Sequence, residues 1–134
     1  MAKTYSFETV VRSEHLDSYG HVNHASYLNL FEDARWALLE EYGQGHKTVL
    51  AQKMGPIVTE CHLRYRRELR LAEHLKIHST FRPSLKKHLM VVDQEIIKDD
   101  GAVACYAEVT MALMNLDERS LVPINEQWFQ IINT

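Results

Sequence analysis

After residue 42 the hydrophobic pattern of this chain changes from a helical period to an alternating one, and that change constrains the fold more than any other feature. Between residues 25 and 42 the apolar side chains recur every three or four positions, which predicts one long helix ended by Gly43 or Gly45. Residues 4–12 alternate instead, as do four segments after the helix, and alternation predicts β-strands. No strand–helix–strand repeat appears along the chain.

The four later segments follow one another with only short turns between them. They cover residues 57–66, 75–83, 87–98 and 102–114. Asp99-Asp100-Gly101 is typical of a tight hairpin, and residues 47–53 and a segment starting at Asn125 predict short helical turns. Consecutive strands after a single helix predict an antiparallel five-stranded sheet that the helix covers on one face, an α+β fold.

Composition indicates a soluble globular protein with a single domain, residues 1–134. The chain is 46% hydrophobic and 25% charged, and its formal net charge of −3 argues against a nucleic-acid-binding protein. It has no apolar run long enough to span a membrane, and MAKTYSFETV lacks a signal-peptide core, so we expect a cytoplasmic location. Cys61 and Cys105 lie in alternating segments without C-x-x-C spacing, and we expect both to be reduced core residues.

Most of the candidate chemistry lies in one polar loop, residues 14–27, directly before the long helix. The loop contains Asp17, three histidines and Asn23. A helix N-terminus offers free N–H groups and a positive partial charge, which suit a developing oxyanion, and a nearby carboxylate suits a base or nucleophile. A capping role for Asn23 with solvated histidines is the alternative, and the residues alone leave both open.

Other kinds of site fit the loop less well. A zinc site of His15, His21 and His24 lacks a known ligand spacing. Cysteine catalysis is disfavoured because both thiols fall within predicted strands, and a serine triad is disfavoured because the G-x-S-x-G turn is missing.

The loop also carries a family motif. The run Asp17-x-x-Gly20-His21-Val22-Asn23-His24-Ala25-x-Tyr27, followed by Phe31-Glu32-x-Ala34-Arg35 and later by Val122-Pro123-Ile124, resembles the hot-dog-fold acyl-CoA thioesterases of the 4-hydroxybenzoyl-CoA thioesterase-like family. The resemblance covers nearly the whole chain. It implies a hot-dog fold, in which the antiparallel sheet wraps around the long helix, and hydrolysis of acyl-CoA or acyl-carrier-protein thioesters to acid and thiol. This reaction needs neither a metal nor a cofactor.

The resemblance also assigns roles to residues of the loop. Asp17 falls on the acidic catalytic residue, as nucleophile or as base for water. The oxyanion donor falls on a backbone N–H at or beside His24, and His21 and Asn23 fall on polar catalytic positions. Tyr27 falls at the substrate. Many relatives carry a second aspartate where this chain has His15. A hot-dog dehydratase or hydratase, or a non-catalytic module that binds acyl thioesters, is the alternative function.

The charge distribution points to the other end of the substrate. Segment 64–88 carries an excess of basic residues although the chain as a whole is acidic. Such a segment suits the phosphates of CoA or an acidic carrier protein, and its candidate contacts are Arg64, Arg66, Arg67 and Arg70. A solvated outer sheet face is the alternative explanation. Open strand edges and Trp36 on the polar side of the helix, together with the resemblance, predict a homodimer or homotetramer with sites at the subunit boundary.

Overall fold

The computed structural model describes residues 3–133 and contains three α-helices and six β-strands within them. A single 3₁₀ turn, Ser13–His15, lies between the first strand and the first helix. In chain order the elements are β1 (Thr4–Val10), α1 (Ser26–Glu41), α2 (His46–Gln52), β2 (Met54–Tyr65), β3 (His74–Pro83), β4 (Met90–Lys98), β5 (Val103–Asn115), β6 (Ser120–Val122) and α3 (Glu126–Ile132).

All strands belong to one antiparallel sheet with the order β1-β3-β4-β5-β2. The predicted α+β class is confirmed, and the five predicted strands are present. A sixth strand, the three-residue β6, pairs with the end of β5 and is too short to show a pattern in the sequence. The two strands that flank α1 in the sequence, β1 and β2, therefore become the two edges of the sheet.

Helix α1 lies on the sheet face formed by the buried alternate residues of β3, β4 and β5. The buried residues of α1 include Leu30, Phe31, Ala34, Leu38 and Leu39, which share one cluster with that face. Trp128 of α3 is fully buried in the same cluster. Asn125 starts α3 as predicted, because its side-chain oxygen accepts the Trp128 N–H at 3.1 Å.

A polar group lies at the centre of this otherwise apolar contact. Ser79, Gln94 and Ala107 occupy one row across β3, β4 and β5. The Gln94 amide donates to Ser79 Oγ at 2.9 Å and to the Phe31 carbonyl of α1 at 3.0 Å. Arg35 donates to Gln94 Oε1 at 3.0 Å. These hydrogen bonds fix the position of α1 over the middle of the sheet, because every donor and acceptor has a fixed position.

Two expectations about side-chain burial need correction. Cys105 is buried as expected, but Cys61, on the edge strand β2, is exposed. Leu28, in the predicted apolar stripe of the helix, is also exposed. Trp36 is half-buried and stacks on His46 of α2 with ring centroids 3.6 Å apart, so an internal contact accounts for its position. Within residues 3–133, no helix is long and apolar enough to cross a membrane.

Candidate active site

The polar loop ahead of α1 folds into a small hairpin that docks on the chain beyond β2. The Asp17 N–H donates to the His21 carbonyl at 3.0 Å, and the Gly20 N–H donates to the Asp17 carbonyl at 3.1 Å. Gly20 has a φ of 83°, a left-handed conformation that glycine adopts without steric cost. The Val22 N–H donates to the Leu69 carbonyl at 2.8 Å, and this bond fastens the loop to the segment between β2 and β3.

Asp17 is half-buried, and one of its two carboxylate oxygens accepts a hydrogen bond that orients the group. The Tyr19 N–H donates to Oδ1 at 2.9 Å. The other oxygen, Oδ2, has no hydrogen-bond partner among residues 3–133. A carboxylate oxygen has lone pairs for further bonds, so Oδ2 is available to a substrate or a water molecule.

The backbone N–H of His24, just before α1, has no hydrogen-bond partner among residues 3–133. Asn23 orders the turn before the helix: its own N–H donates to the His15 carbonyl, its side-chain oxygen accepts the Ala25 N–H, and its carbonyl accepts the Ser26 N–H, each at 2.9 Å. Ala25 is the N-cap residue, so Asn23 acts on the turn ahead of the helix. The His24 N–H has no acceptor within the described part of the chain. It is available to an oxyanion at a helix N-terminus.

Two tyrosines join the start of α1 to the end of β2. The hydroxyl of Tyr65 donates to the His24 carbonyl at 2.9 Å, and the hydroxyl of Tyr27 donates to the Arg67 carbonyl at 3.4 Å. Their rings meet edge to face with centroids 5.0 Å apart. Burial raises the pKa of Tyr27 to about 12, and burial also raises that of Tyr65, so both hydroxyls remain protonated donors at neutral pH.

The loop, the helix start and the chain after β2 enclose a cavity of about 420 Å³. Of the predicted site residues, it brings together Asp17, His21, His24, Tyr27, Arg66 and Arg67. Asn23 and Arg64 do not line it. Tyr19, Tyr65 and Glu68 line it and were not predicted. Tyr65 ends an alternating strand, and that position offered no signal of a functional role.

The basic residues are divided between two surfaces. Arg64 lies beside Tyr106 on the outer face of the sheet, in a separate groove. Arg66 lines both that groove and the site cavity, and Arg67 lines the cavity. Arg70 is engaged elsewhere, because its guanidinium pairs with Glu68 at 2.7 Å.

The three histidines of the loop lie in different surroundings. His15 is buried, and its Nδ1 accepts the Arg12 N–H at 3.0 Å. His21 is half-buried and stacks on Tyr19, and the His24 side chain is exposed. Within residues 3–133, no group of three or more His, Cys, Asp or Glu residues is placed to hold a metal ion. The residue at the position of the relatives' second aspartate, His15, is thus part of the loop's internal support.

Comparison with known proteins identifies the family of this chain and several solved structures with a similar fold. Residues 11–130 match the thioesterase-like superfamily. The long-chain acyl-CoA thioesterase FadM of Escherichia coli (strain K12) is 31% identical over 106 residues, 79% of this chain and 80% of that protein. The solved structure of YbaW, a probable thioesterase from Escherichia coli, has a TM-score of 0.80 at 27% identity and covers 94% of both chains. A hypothetical protein from Staphylococcus aureus, solved in complex with CoA, has the same fold, with a TM-score of 0.85 at 22% identity over 99% of this chain and 84% of that one.

Proposed function

The chain belongs to the thioesterase-like superfamily, and from this premise we propose that Asp17 and the N-terminus of α1 together carry the hydrolysis of acyl-CoA thioesters. The resemblance found in the sequence is confirmed, and the chain has the hot-dog fold. The protein is an acyl-CoA thioesterase. The identity of the residues that perform the reaction is the proposed part.

One observation supports this assignment above all others: Asp17, which has a free carboxylate oxygen, and His24, which has a free backbone N–H, line the same cavity. Oδ2 of Asp17 and the N–H of His24 both lack a partner among residues 3–133. A thioester carbonyl oxygen at the His24 N–H would be stabilised as negative charge develops on it. The carbonyl carbon is then open to attack from the side of Asp17.

Two routes fit this arrangement. In the first, Asp17 adds to the carbonyl carbon, the CoA thiolate leaves, and water hydrolyses the resulting mixed anhydride. In the second, Asp17 takes a proton from a water molecule while that water attacks the carbonyl carbon, and this proton then passes to the departing sulfur, which leaves as the thiol. Both routes give one acid and one thiol per thioester consumed.

The CoA end of the substrate is placed by Arg66 and Arg67 in this proposal. Both line the site cavity, and guanidinium groups pair well with phosphate. Arg64 lies on the outer face and contributes through the groove that Arg66 connects to the site. An acyl-carrier protein offers the same thioester on a phosphopantetheine arm, and it is the alternative substrate.

The test is thiol release from acyl-CoAs of several chain lengths and from aromatic acyl-CoAs. Asp17→Asn keeps the side-chain shape and removes the charge, so we expect kcat to fall by at least about 10³-fold. Asp117→Asn, at an exposed position beyond β5, is the matched control and should retain wild-type rates. Near-wild-type hydrolysis by Asp17→Asn would contradict the assignment, and no release by the wild type from any substrate would favour a binding module.

We also propose that the active unit is at least a homodimer joined along β2. This strand has twelve residues and pairs only with β5 among the described strands, so one of its edges presents unpaired backbone groups. Residues Val58–Cys61 in the middle of β2 are exposed. Sedimentation at micromolar concentration should show no folded monomer of 15.6 kDa. A fully active monomer would exclude this assembly, whereas a tetramer built from such dimers agrees with it.

A further inference from the structure

The Tyr65 side chain reaches the backbone next to the free His24 N–H. Its hydroxyl donates to the His24 carbonyl at 2.9 Å, a normal hydrogen-bond length. On the other side of the same N–H, the Asn23 N–H donates to the His15 carbonyl at 2.9 Å. The peptide group that carries the His24 N–H therefore lies between two anchored groups, one of which is supplied by β2.

The second tyrosine makes a weaker contact in the opposite direction. Tyr27, in the first turn of α1, donates to the Arg67 carbonyl at 3.4 Å, close to the limit for a hydrogen bond. Its ring supports the Tyr65 ring at a centroid distance of 5.0 Å, edge to face. This contact restricts rotation of the Tyr65 ring, so the Tyr65 hydroxyl points in a fixed direction.

We propose that Tyr65 is a positioning residue for the oxyanion donor of the reaction. Its hydroxyl fixes the His24 carbonyl relative to the end of β2, and thereby fixes the direction of the neighbouring His24 N–H. The inference rests on the proposed function, because it assigns a purpose to a backbone group that the reaction is proposed to use. It adds a residue that the family motif in the loop does not contain.

The physical reason is the strict geometry of transition-state hydrogen bonds. A donor must lie about 2.7–3.1 Å from the position that the oxyanion will occupy, not from the ground-state carbonyl. A displacement of about 1 Å in such a site can cost about 10²-fold in rate. Loss of the Tyr65 bond leaves the His24 carbonyl without its only side-chain partner among residues 3–133, so the peptide group that it shares with the Ala25 N–H is held by the Asn23 side chain alone.

The kinetic test compares Tyr65→Phe with Tyr42→Phe. Tyr42 is the C-cap residue of α1, at the opposite end of the helix from the site, and its hydroxyl has no hydrogen-bond partner within residues 3–133. We expect Tyr65→Phe to lower kcat by about 10- to 100-fold with KM changed less than about threefold. Tyr42→Phe should retain both constants. Equal kcat in Tyr65→Phe and the wild type would overturn the positioning role.

A spectroscopic measurement separates positioning from general damage to the fold. The probe is a non-hydrolysable acyl-CoA ketone, in which a methylene replaces the thioester sulfur, labelled with ¹³C at the carbonyl. When it binds to the wild type, its carbonyl stretch should lie at low wavenumber in a narrow band, because one fixed N–H donates to it. In Tyr65→Phe the band should move to higher wavenumber and broaden, while Tyr42→Phe keeps the wild-type band.

The outcomes distinguish this inference from the function on which it rests. A low-wavenumber band that persists unchanged in Tyr65→Phe overturns the positioning role and leaves the proposed oxyanion site intact. A wild-type band no lower than that of the probe in an aprotic solvent shows that no donor reaches the carbonyl, and then both fail. A shifted band together with the fall in kcat supports the role, because a purely structural defect would reduce the amount of active protein without moving the band.

Discussion

Replacing Gln94 with Met removes the only acceptor that the described structure gives to the Arg35 guanidinium. Arg35 is 8% exposed and donates to Gln94 Oε1, and no carboxylate lies within ion-pair distance of it among residues 3–133. Burial lowers the pKa of Arg35, because the charged form loses hydration. In Gln94→Met the charge stays buried without its partner, and we expect the free energy of unfolding to fall by about 3–5 kcal/mol.

The decisive comparison is between Gln94→Met and the double variant in which Arg35 is also replaced by Met. Arg35→Met alone leaves the Gln94 oxygen unpaired, which should cost about 1–3 kcal/mol. The double variant has neither the buried charge nor its acceptor, so we expect it to be more stable than Gln94→Met by at least about 1 kcal/mol. Gln127→Met, at an exposed position of α3, is the control and should change stability by less than about 0.5 kcal/mol.

Urea unfolding followed by circular dichroism measures all four variants at one fixed protein concentration, because assembly makes stability depend on concentration. If the loss in the double variant equals the sum of the two single losses, the guanidinium does not depend on Gln94, and the reasoning is refuted. A Gln94→Met variant as stable as the control would refute it as well.

Three further predictions concern charge, pH and thiol chemistry. Reversing the charge at both Arg66 and Arg67 should raise KM for acyl-CoA more than it lowers kcat, with Lys76→Glu as control; equal kinetics would make the two arginines surface residues only. Burial holds the pKa of His15 below its ordinary 6.5, so as the pH falls the unfolded chain is protonated at His15 before the folded chain is. The free energy of unfolding should therefore fall as pH drops below 6.5 and level off above it. A His15→Asn variant should lose this part of the slope in pH-dependent urea titrations. Burial raises the pKa of the Cys105 thiol to about 12, so in Cys61→Ser a thiol reagent should label nothing in the folded protein and one thiol per chain after unfolding; fast labelling of the folded variant would show that Cys105 is accessible.

The parts of the fold that depend on local periodicity were predictable from the sequence. The long helix, the short helical segments and the five main strands all appear within a few residues of their predicted limits. The strand order was not predicted, because the pairing of β2 with β5 and of β1 with β3 joins residues far apart in the chain. The exposure of Cys61 follows from that order: an alternating pattern identifies two faces of a strand, but not whether the strand lies at an edge.

The candidate site was predictable where one short motif holds it together. Asp17, His21 and His24 lie in one loop, and the structure places them around one cavity with Arg66 and Arg67. Tyr65 could not be found in this way, because its role depends on a carbonyl 41 residues away in sequence. Single-domain organisation over residues 1–134 and the cytoplasmic location stay predictions, as do the catalytic roles.

The strand order also sets the sequence of events when this chain folds. Strands β3, β4 and β5 follow one another and pair with their neighbours, so they form a local meander with little entropy of loop closure. The edge pairs are distant, since Met54 of β2 faces Asn115 of β5 and Thr4 of β1 faces Thr80 of β3. We therefore expect the meander to form early and the edges to dock late. The cavity is lined by residues before α1 and by residues at and after the end of β2, and β2 pairs only with β5 among the described strands. We therefore expect that a ribosome-bound chain that has not yet exposed β5 has no active site.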